Sequence, residues 1–374
     1  MRSSPSLISL VVSLAVCSVA AAQDGGELEA SSKYTPASIL DRRNPTYPQA
    51  ALSSGKEGWV VLSFVVSPAG EVTEPMIEDS SGVEAFERAA LRSIEGWKYT
   101  PATQDGQPVE QAMVKTMIVF ALQDNPDGGA SSAFVSKYRR IARLINDGDF
   151  AAAEPLITEL EFGERKNLYE DAWFWWSKYV YLSASGSSDT AEMLRCLQRA
   201  VGYEREYLAP DQFVAAAERL MVAHARALDA SAAIATFERL RDAKTARRSD
   251  NYEGAIANLQ PAYDRLVELV NGEQILATKA AVGEFDYWVH DLLRRSFSLA
   301  DISGRLDVLD IRCERGTRRY HAVPADTIWT VPQSWGKCGA YIKGERGTTF
   351  AFQEYPRSFV PQAAVDAGAT GQSP

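Results

Sequence analysis

The stretch from Arg42 to Leu122 restricts the fold more than any other part of this 374-residue chain. Trp59 to Val66 is a β-rich run of one-strand length. Ser67-Pro68-Ala69-Gly70 closes it with a turn, because proline presets φ and glycine permits positive φ. Glu71 to Glu78 supplies a second strand on Val72 and Ile77, and Pro75 inside it points to an edge or a bulge. After Ser80-Ser81-Gly82, the residues Phe86, Ala89, Ala90 and Ile94 recur at helical spacing, which predicts an amphipathic helix over 83–95. Trp97 and Tyr99 follow it. Pro101, Asp105-Gly106 and Pro108 mark a loop, and Met113 to Leu122 reads as the last strand. Strand, strand, helix, strand is a compact α+β solution, with one helix over one face of a small sheet.

Short motifs stand along the same stretch in a fixed order. They are Tyr47-Pro48 with Ala50, Glu57-Gly58 before the first strand, and Gly70 in the hairpin. Phe86 and Ala90 follow in the helix, then Trp97, Tyr99 and Pro101 at its exit. Each is common alone; in this order and spacing they resemble the C-terminal domain of the TonB family. The resemblance implies a periplasmic module that binds an extended peptide by adding it to a sheet edge. It implies that the last strand is this edge, with Lys115, Thr116, Met117, Ile118, Val119 and Phe120 as the peptide-binding residues. In strand addition the backbone supplies affinity and alternate side chains supply selectivity. Lys115 and Thr116 are the polar members of that strand. Tyr47, Pro48, Gly58, Gly70, Trp97 and Pro101 carry the structural motif, and the aromatic rings of Trp59, Trp97 and Tyr99 belong to a core. Energy-transducing members of the family keep an N-terminal membrane helix with a histidine, then a long proline-rich spacer. Here no histidine precedes His224, and Asp24 to Asp41 is a short polar linker.

The beginning of the chain reads as a secretory leader over residues 1–22. Arg2 is its positive end, Leu7 to Val19 its apolar core, and Val19-Ala20-Ala21-Ala22-Gln23 offers small-residue cleavage sites. The apolar run is short for a membrane span, which takes ~20 residues. Leu14-Ala15-Val16-Cys17 resembles a bacterial lipoprotein box, although Val16 is bulky for it. The expected location is therefore the periplasm, the alternative being a membrane-anchored protein facing it. Membrane contact is expected only if the N-terminal segment is retained or lipidated.

An oxidising compartment permits disulfides. Cys313 ends the strand-like run from Asp307 and Cys338 lies in Trp335-Gly336-Lys337-Cys338-Gly339, so these two are expected to pair. Cys196, beside Leu194 and Leu197, reads as a buried free thiol. No Cys or His pair has metal-ligand spacing, so no metal or cofactor is expected. The net charge of −10 and the scattered pairs Arg139-Arg140, Arg247-Arg248, Arg294-Arg295 and Arg318-Arg319 exclude nucleic acid as the main partner.

The remaining pattern divides the chain further. The module is assigned to 33–123. From 131 to 272 apolar residues keep helical spacing between breaks at Gly148, Gly186, Gly202 and Pro210. Gly148-Asp149-Phe150-Ala151-Ala152-Ala153 resembles the start of a second helix in a tetratricopeptide-type repeat, so this part is expected to stack as helical pairs. Residues 273–356 return to short β-prone runs separated by glycines, as in a small sandwich or barrel, and 357–374, rich in Ala, Gly, Gln and Pro, are expected to be disordered. The fold class is α+β multidomain: a TonB-C-like αβ domain, a helical repeat-like middle and an all-β C-terminal domain. His224, His290 and His321 are isolated, and no catalytic motif is present. The leading expectation is a non-enzymatic adaptor or envelope-transport protein that binds a protein or peptide, with an outer-membrane receptor as one candidate. The alternatives are an enzyme with its site in the C-terminal β-domain, or a true energy transducer to an outer-membrane transporter.

Overall fold

The computed structural model describes residues 33–122, 129–163, 167–202, 207–283 and 285–359. The leader, Cys17, most of the linker from 124 to 131 and the tail beyond 359 lie outside the described residues.

The first part contains β1 (Tyr34–Thr35), β2 (Ser38–Asp41), α1 (Gln49–Ser53), β3 (Gly58–Val66), β4 (Val72–Ser80) and α2 (Glu84–Ile94). It continues with β5 (Lys98–Thr100), β6 (Ala102–Gln104), β7 (Gln107–Val109) and β8 (Gln111–Phe120). Its main sheet has the antiparallel order β4-β3-β8. Val60, Leu62, Phe64 and Val66 alternate along β3 and share a core with Phe86, Ala89, Ala90 and Ile94 of α2. That is the strand against the amphipathic helix that the pattern predicts, and β3 is buried on its other face as well. Gly70 takes φ +77° in the β3–β4 turn, where its N–H donates to the Ser67 carbonyl at 2.8 Å. Pro75 lies where the β3–β4 register shifts, and Glu74 beside it has φ +50°, so the expected bulge is present. Residues 101–108 differ from the expected loop. Asp105-Gly106, both at positive φ, turn a short β6–β7 hairpin, the geometry of a type I′ turn. β1 pairs β6 and β2 pairs β5, so residues 34–41 strap the module from outside.

The middle holds α3 (Ser132–Asn146), α4 (Phe150–Phe162), α5 (Leu168–Ala184), α6 (Thr190–Val201), α7 (Pro210–Arg226), α8 (Ala230–Asp242) and α9 (Tyr252–Asn271). Ser131, Asp149, Asn167, Asp189 and Asp229 each accept a backbone N–H three residues on, which caps their helices. Gly148 and Gly186 take positive φ after α3 and α5. Each helix packs on the next, and α3 meets α5 as α7 meets α9. One apolar core runs through the set, with Trp175, Phe174, Phe213, Phe237 and the free Cys196 buried in it.

The end is all β: β9 (Leu276–Ala281), β10 (Tyr287–Asp291), β11 (Ser296–Ser303), β12 (Leu306–Cys313), β13 (Gly316–Tyr320), β14 (Trp329–Thr330), β15 (Cys338–Gly344) and β16 (Thr349–Tyr355). Two antiparallel four-stranded sheets, β10-β15-β12-β13 and β14-β11-β16-β9, share one core. Cys313 and Cys338 face each other across the β12–β15 register and form a disulfide. The joint with the helices is Arg294. Its buried guanidinium donates to the carbonyls of Leu269, Val270, Gly272, Gln274 and Glu354, which caps the C-terminal end of α9.

Candidate functional site

The candidate site is the outer edge of β8, and the motif residues explain how it is held. Tyr47 meets Phe86 and Phe120 edge-on at 5.5 and 5.8 Å, and its hydroxyl donates to the Lys56 carbonyl. Burial pushes the Tyr47 hydroxyl pKa up to about 12, with the Glu57 charge adding to the shift. A Cβ on Gly58 would stand 2.8 Å from the Phe86 ring, and one on Gly70 would stand 2.0 Å from the Tyr99 carbonyl oxygen. Both glycines are therefore places where the chain passes too close for a side chain. The Trp97 indole donates to the Arg43 carbonyl at 2.8 Å, tying the helix exit to the opening segment. Pro101 touches the space beside Gly70.

β8 pairs β3 from Gly58↔Phe120 to Val66↔Gln111. Among the described residues no strand pairs with its other side. Its two halves differ. The first half lies against β12 and β13, and the Thr317 hydroxyl donates to Glu110 at 2.9 Å. The second half, Thr116 to Phe120, turns Ile118 and Phe120 into the module core and Met117 onto the helical core. Val119 is 40% exposed, the one large apolar side chain of β8 that stands in solvent.

The sheet face opposite α2 is not a free surface. Trp59, Val61 and Met117 pack on the helical core. Further along, a polar network joins the module to the C-terminal sandwich. The buried Arg312 guanidinium bonds Asp310 at 2.9 Å, the Glu74 carboxylate at 3.0 Å and the Glu74 carbonyl at 3.1 Å. Arg319 reaches the same two carboxylates at 2.7 and 2.8 Å, and those bonds hold its pKa well above the ordinary guanidinium value. The Tyr341 hydroxyl donates to Glu78 at 2.9 Å, and burial, then the Glu78 charge, raise its pKa far above that of a free phenol.

The structure brings Lys115 into this network. Its ammonium pairs with Glu78 at 3.1 Å and Asp291 at 3.7 Å. Burial pulls its pKa down, but the two carboxylates outweigh that and leave it raised. Lys115 is thus occupied in holding the sandwich against the module, while Thr116 to Phe120 form the open half of the strand. The sequence places Glu57 in the Glu57-Gly58 motif but gives its carboxylate no role. Its carboxylate accepts the Leu122 N–H at 2.9 Å and the Leu168 N–H at 3.1 Å, so one side chain fixes the end of the edge strand to the N-terminus of α5. The Glu-Gly pair was legible in sequence, but a partner 111 residues away was not.

Residues 43–122 match the family model described as Gram-negative bacterial TonB protein C-terminal. Protein tonB2 of Pseudomonas aeruginosa is 35% identical over 86 residues, which are 23% of this chain and 32% of that protein. Protein TonB of Vibrio cholerae serotype O1 is 35% identical over 74 residues, 20% of this chain and 30% of that one. Protein TonB of Xanthomonas campestris pv. campestris is 36% identical over 78 residues, 21% of this chain and 34% of that one. The chain thus spans about a third of the length of the curated relatives it matches. The solution structure of the Pseudomonas aeruginosa TonB C-terminal domain aligns with 21% identity and a TM-score of 0.21, covering 24% of this chain and 89% of that one. The similarity to TonB proteins therefore lies in the C-terminal domain of that family, and it falls on the N-terminal module of this chain.

Proposed function

We propose that this protein captures an extended segment of a protein partner on the second half of β8, in the periplasm, as a non-enzymatic adaptor. The observation that carries the reading is the edge itself: Thr116 to Phe120 have no strand partner on the outer side among the described residues, and Val119 is exposed beside it. An added strand would take its backbone hydrogen bonds there and seat an apolar side chain beside Val119. The helical middle and the sandwich act as a rigid backing, since both hold the opposite sheet face. Read as repeat-like pairs, the helices also offer a second surface for the same partner. The resemblance to the TonB C-terminal domain makes an outer-membrane receptor one candidate for that partner. Among the described residues no helix is long and apolar enough to cross a membrane.

The test is a titration of the full chain with a fluorescent library of extended peptides, read by anisotropy, with backbone amide shifts recorded for residues 111–122. Saturable binding should move the amides of Thr116 to Phe120 most. A perturbation confined to the helical middle, or no saturable binding by any peptide, refutes the assignment of β8.

A further inference from the structure

A second concave site lies at the end of the sandwich that meets the helices. Its cavity has a volume of about 460 Å³. Arg294, Arg295, Lys337 and Arg357 line it together with Leu293 and Pro356, and no carboxylate is among the lining residues. In a chain of net charge −10, four cations around one cavity are not explained by composition.

What the cations already do separates them. Arg294 is spent on backbone carbonyls and forms the back wall. Arg295 uses one terminal nitrogen on the Gly336 carbonyl at 2.7 Å, which also places it 3.6 Å from the Cys338 sulfur of the disulfide. The rest of its fork has no acceptor among the described residues. Neither the Lys337 ammonium nor the Arg357 guanidinium has a hydrogen-bond or ion-pair partner there. Three acids stand nearby without a direct ion pair to Arg295, Lys337 or Arg357: Glu354 accepts the N–H groups of Leu293 and Arg294 and meets His290, Glu314 accepts the Lys337 N–H, and Glu273 accepts the Ser358 hydroxyl. Burial and the neighbouring Arg357 charge both pull the Arg295 pKa down, with Glu314 opposing, so the two guanidiniums repel each other across the cavity.

Like charges held together with no ion pair of their own, as Arg295, Lys337 and Arg357 are, are relieved by an anion. Guanidinium forks present paired donors that match the oxygens of a phosphate or carboxylate, while an ammonium adds a point charge. The volume exceeds that of a bare phosphate, and the Leu293 and Pro356 walls can seat a small organic body. We infer that this cavity binds a small multivalent oxyanion of the phosphate-ester class, gripped by Arg295 and Arg357 with Lys337 at the mouth. The inference is independent of strand addition at β8.

The test uses the full chain in calorimetric titrations with pyrophosphate, with glucose 1-phosphate and with phosphatidylglycerol vesicles, at low and at high salt. The expected result is saturable one-to-one binding of a soluble phosphate that weakens with salt. Arg357→Gln and Arg295→Gln should each weaken it ~10-fold or more, the size of one charge-assisted hydrogen bond, while the distant Lys33→Gln leaves it unchanged. Arg357 is exposed, so its variant keeps the fold intact and circular dichroism verifies this. Vesicle binding without soluble-phosphate binding, lost in Arg357→Gln, assigns the same chemistry to a lipid headgroup. No saturable binding of any of the three probes, or binding that survives the Arg295→Gln/Arg357→Gln double variant, overturns the inference.

Discussion

Arg294→Met should destabilise the junction between α9 and the sandwich by ~3–5 kcal/mol. Its guanidinium has five carbonyl acceptors. Leu269 also receives the Gly272 N–H and the Gln274 side-chain amide, so that carbonyl stays paired. The carbonyls of Val270, Gly272 and Gln274 lose their donor, and a buried acceptor left unpaired costs ~1–3 kcal/mol. Loss of a cation at a helix C-terminus adds ~0.3–1 kcal/mol. Two effects reduce the sum: a guanidinium no longer has to be desolvated, and the Gly272 to Gln274 turn, which is largely exposed, can rehydrate. Methionine refills the aliphatic space, so a cavity adds little. The assay is urea unfolding by far-UV circular dichroism, with hydrogen exchange read at residues 268–276 and 350–355. A loss of this size moves the urea midpoint by ~1 M or more. Arg294→Lys should recover only part of it, since an ammonium keeps the charge and not the fork. A midpoint unchanged within error, with unaltered exchange across 268–276, would refute the idea that this side chain seals the helix end.

Three further outcomes follow from the same structure. Arg312→Leu leaves the Asp310 carboxylate buried with one cationic partner instead of two and should cost ~3 kcal/mol; limited proteolysis should then release the module, and combining it with Glu74→Ala should cost less than the sum of the two. His224 is held below the usual imidazole pKa by burial, with Asp229 opposing. The unfolded chain therefore binds a proton that the folded one resists, so stability is full above pH ~6.5 and declines as pH falls through that value towards the folded pKa. Urea midpoints from neutral to acid pH should show that decline, and His224→Gln should flatten it. Burial pushes the Cys196 thiol pKa up to about 12, so iodoacetamide should leave the peptide containing Cys196 unlabelled in native protein and label it in denaturant; rapid native labelling would contradict its burial.

The sequence by itself determined the local elements. The apolar spacing at Phe86, Ala89, Ala90 and Ile94 made α2, and the β-prone run ending at Val66 made β3. Pro75 marked the bulge in β4, and Asp149, Asp189 and Asp229 started three helices as caps. These are legible because their causes lie within a few residues of one another. The Asp105-Gly106 hairpin carried an equally local signal, although two flanking strands of three residues each left too little pattern to register as strands. Within the β-prone stretch 273–356, the strands β10, β11, β13 and β15 are individually hard to read for another reason. There polar side chains are buried alongside apolar ones, as His290 is on β10 and Ser296 and Ser298 are on β11, so the alternation that marks a half-solvated strand is absent. Only the tertiary structure decided which charges are interior. Glu74 and Arg312 are 238 residues apart, and Glu57 and Leu168 are 111 apart. Whether a carboxylate is solvated or clamps two domains together depends on the partner that folding brings to it, and no window of sequence contains both members of such a pair.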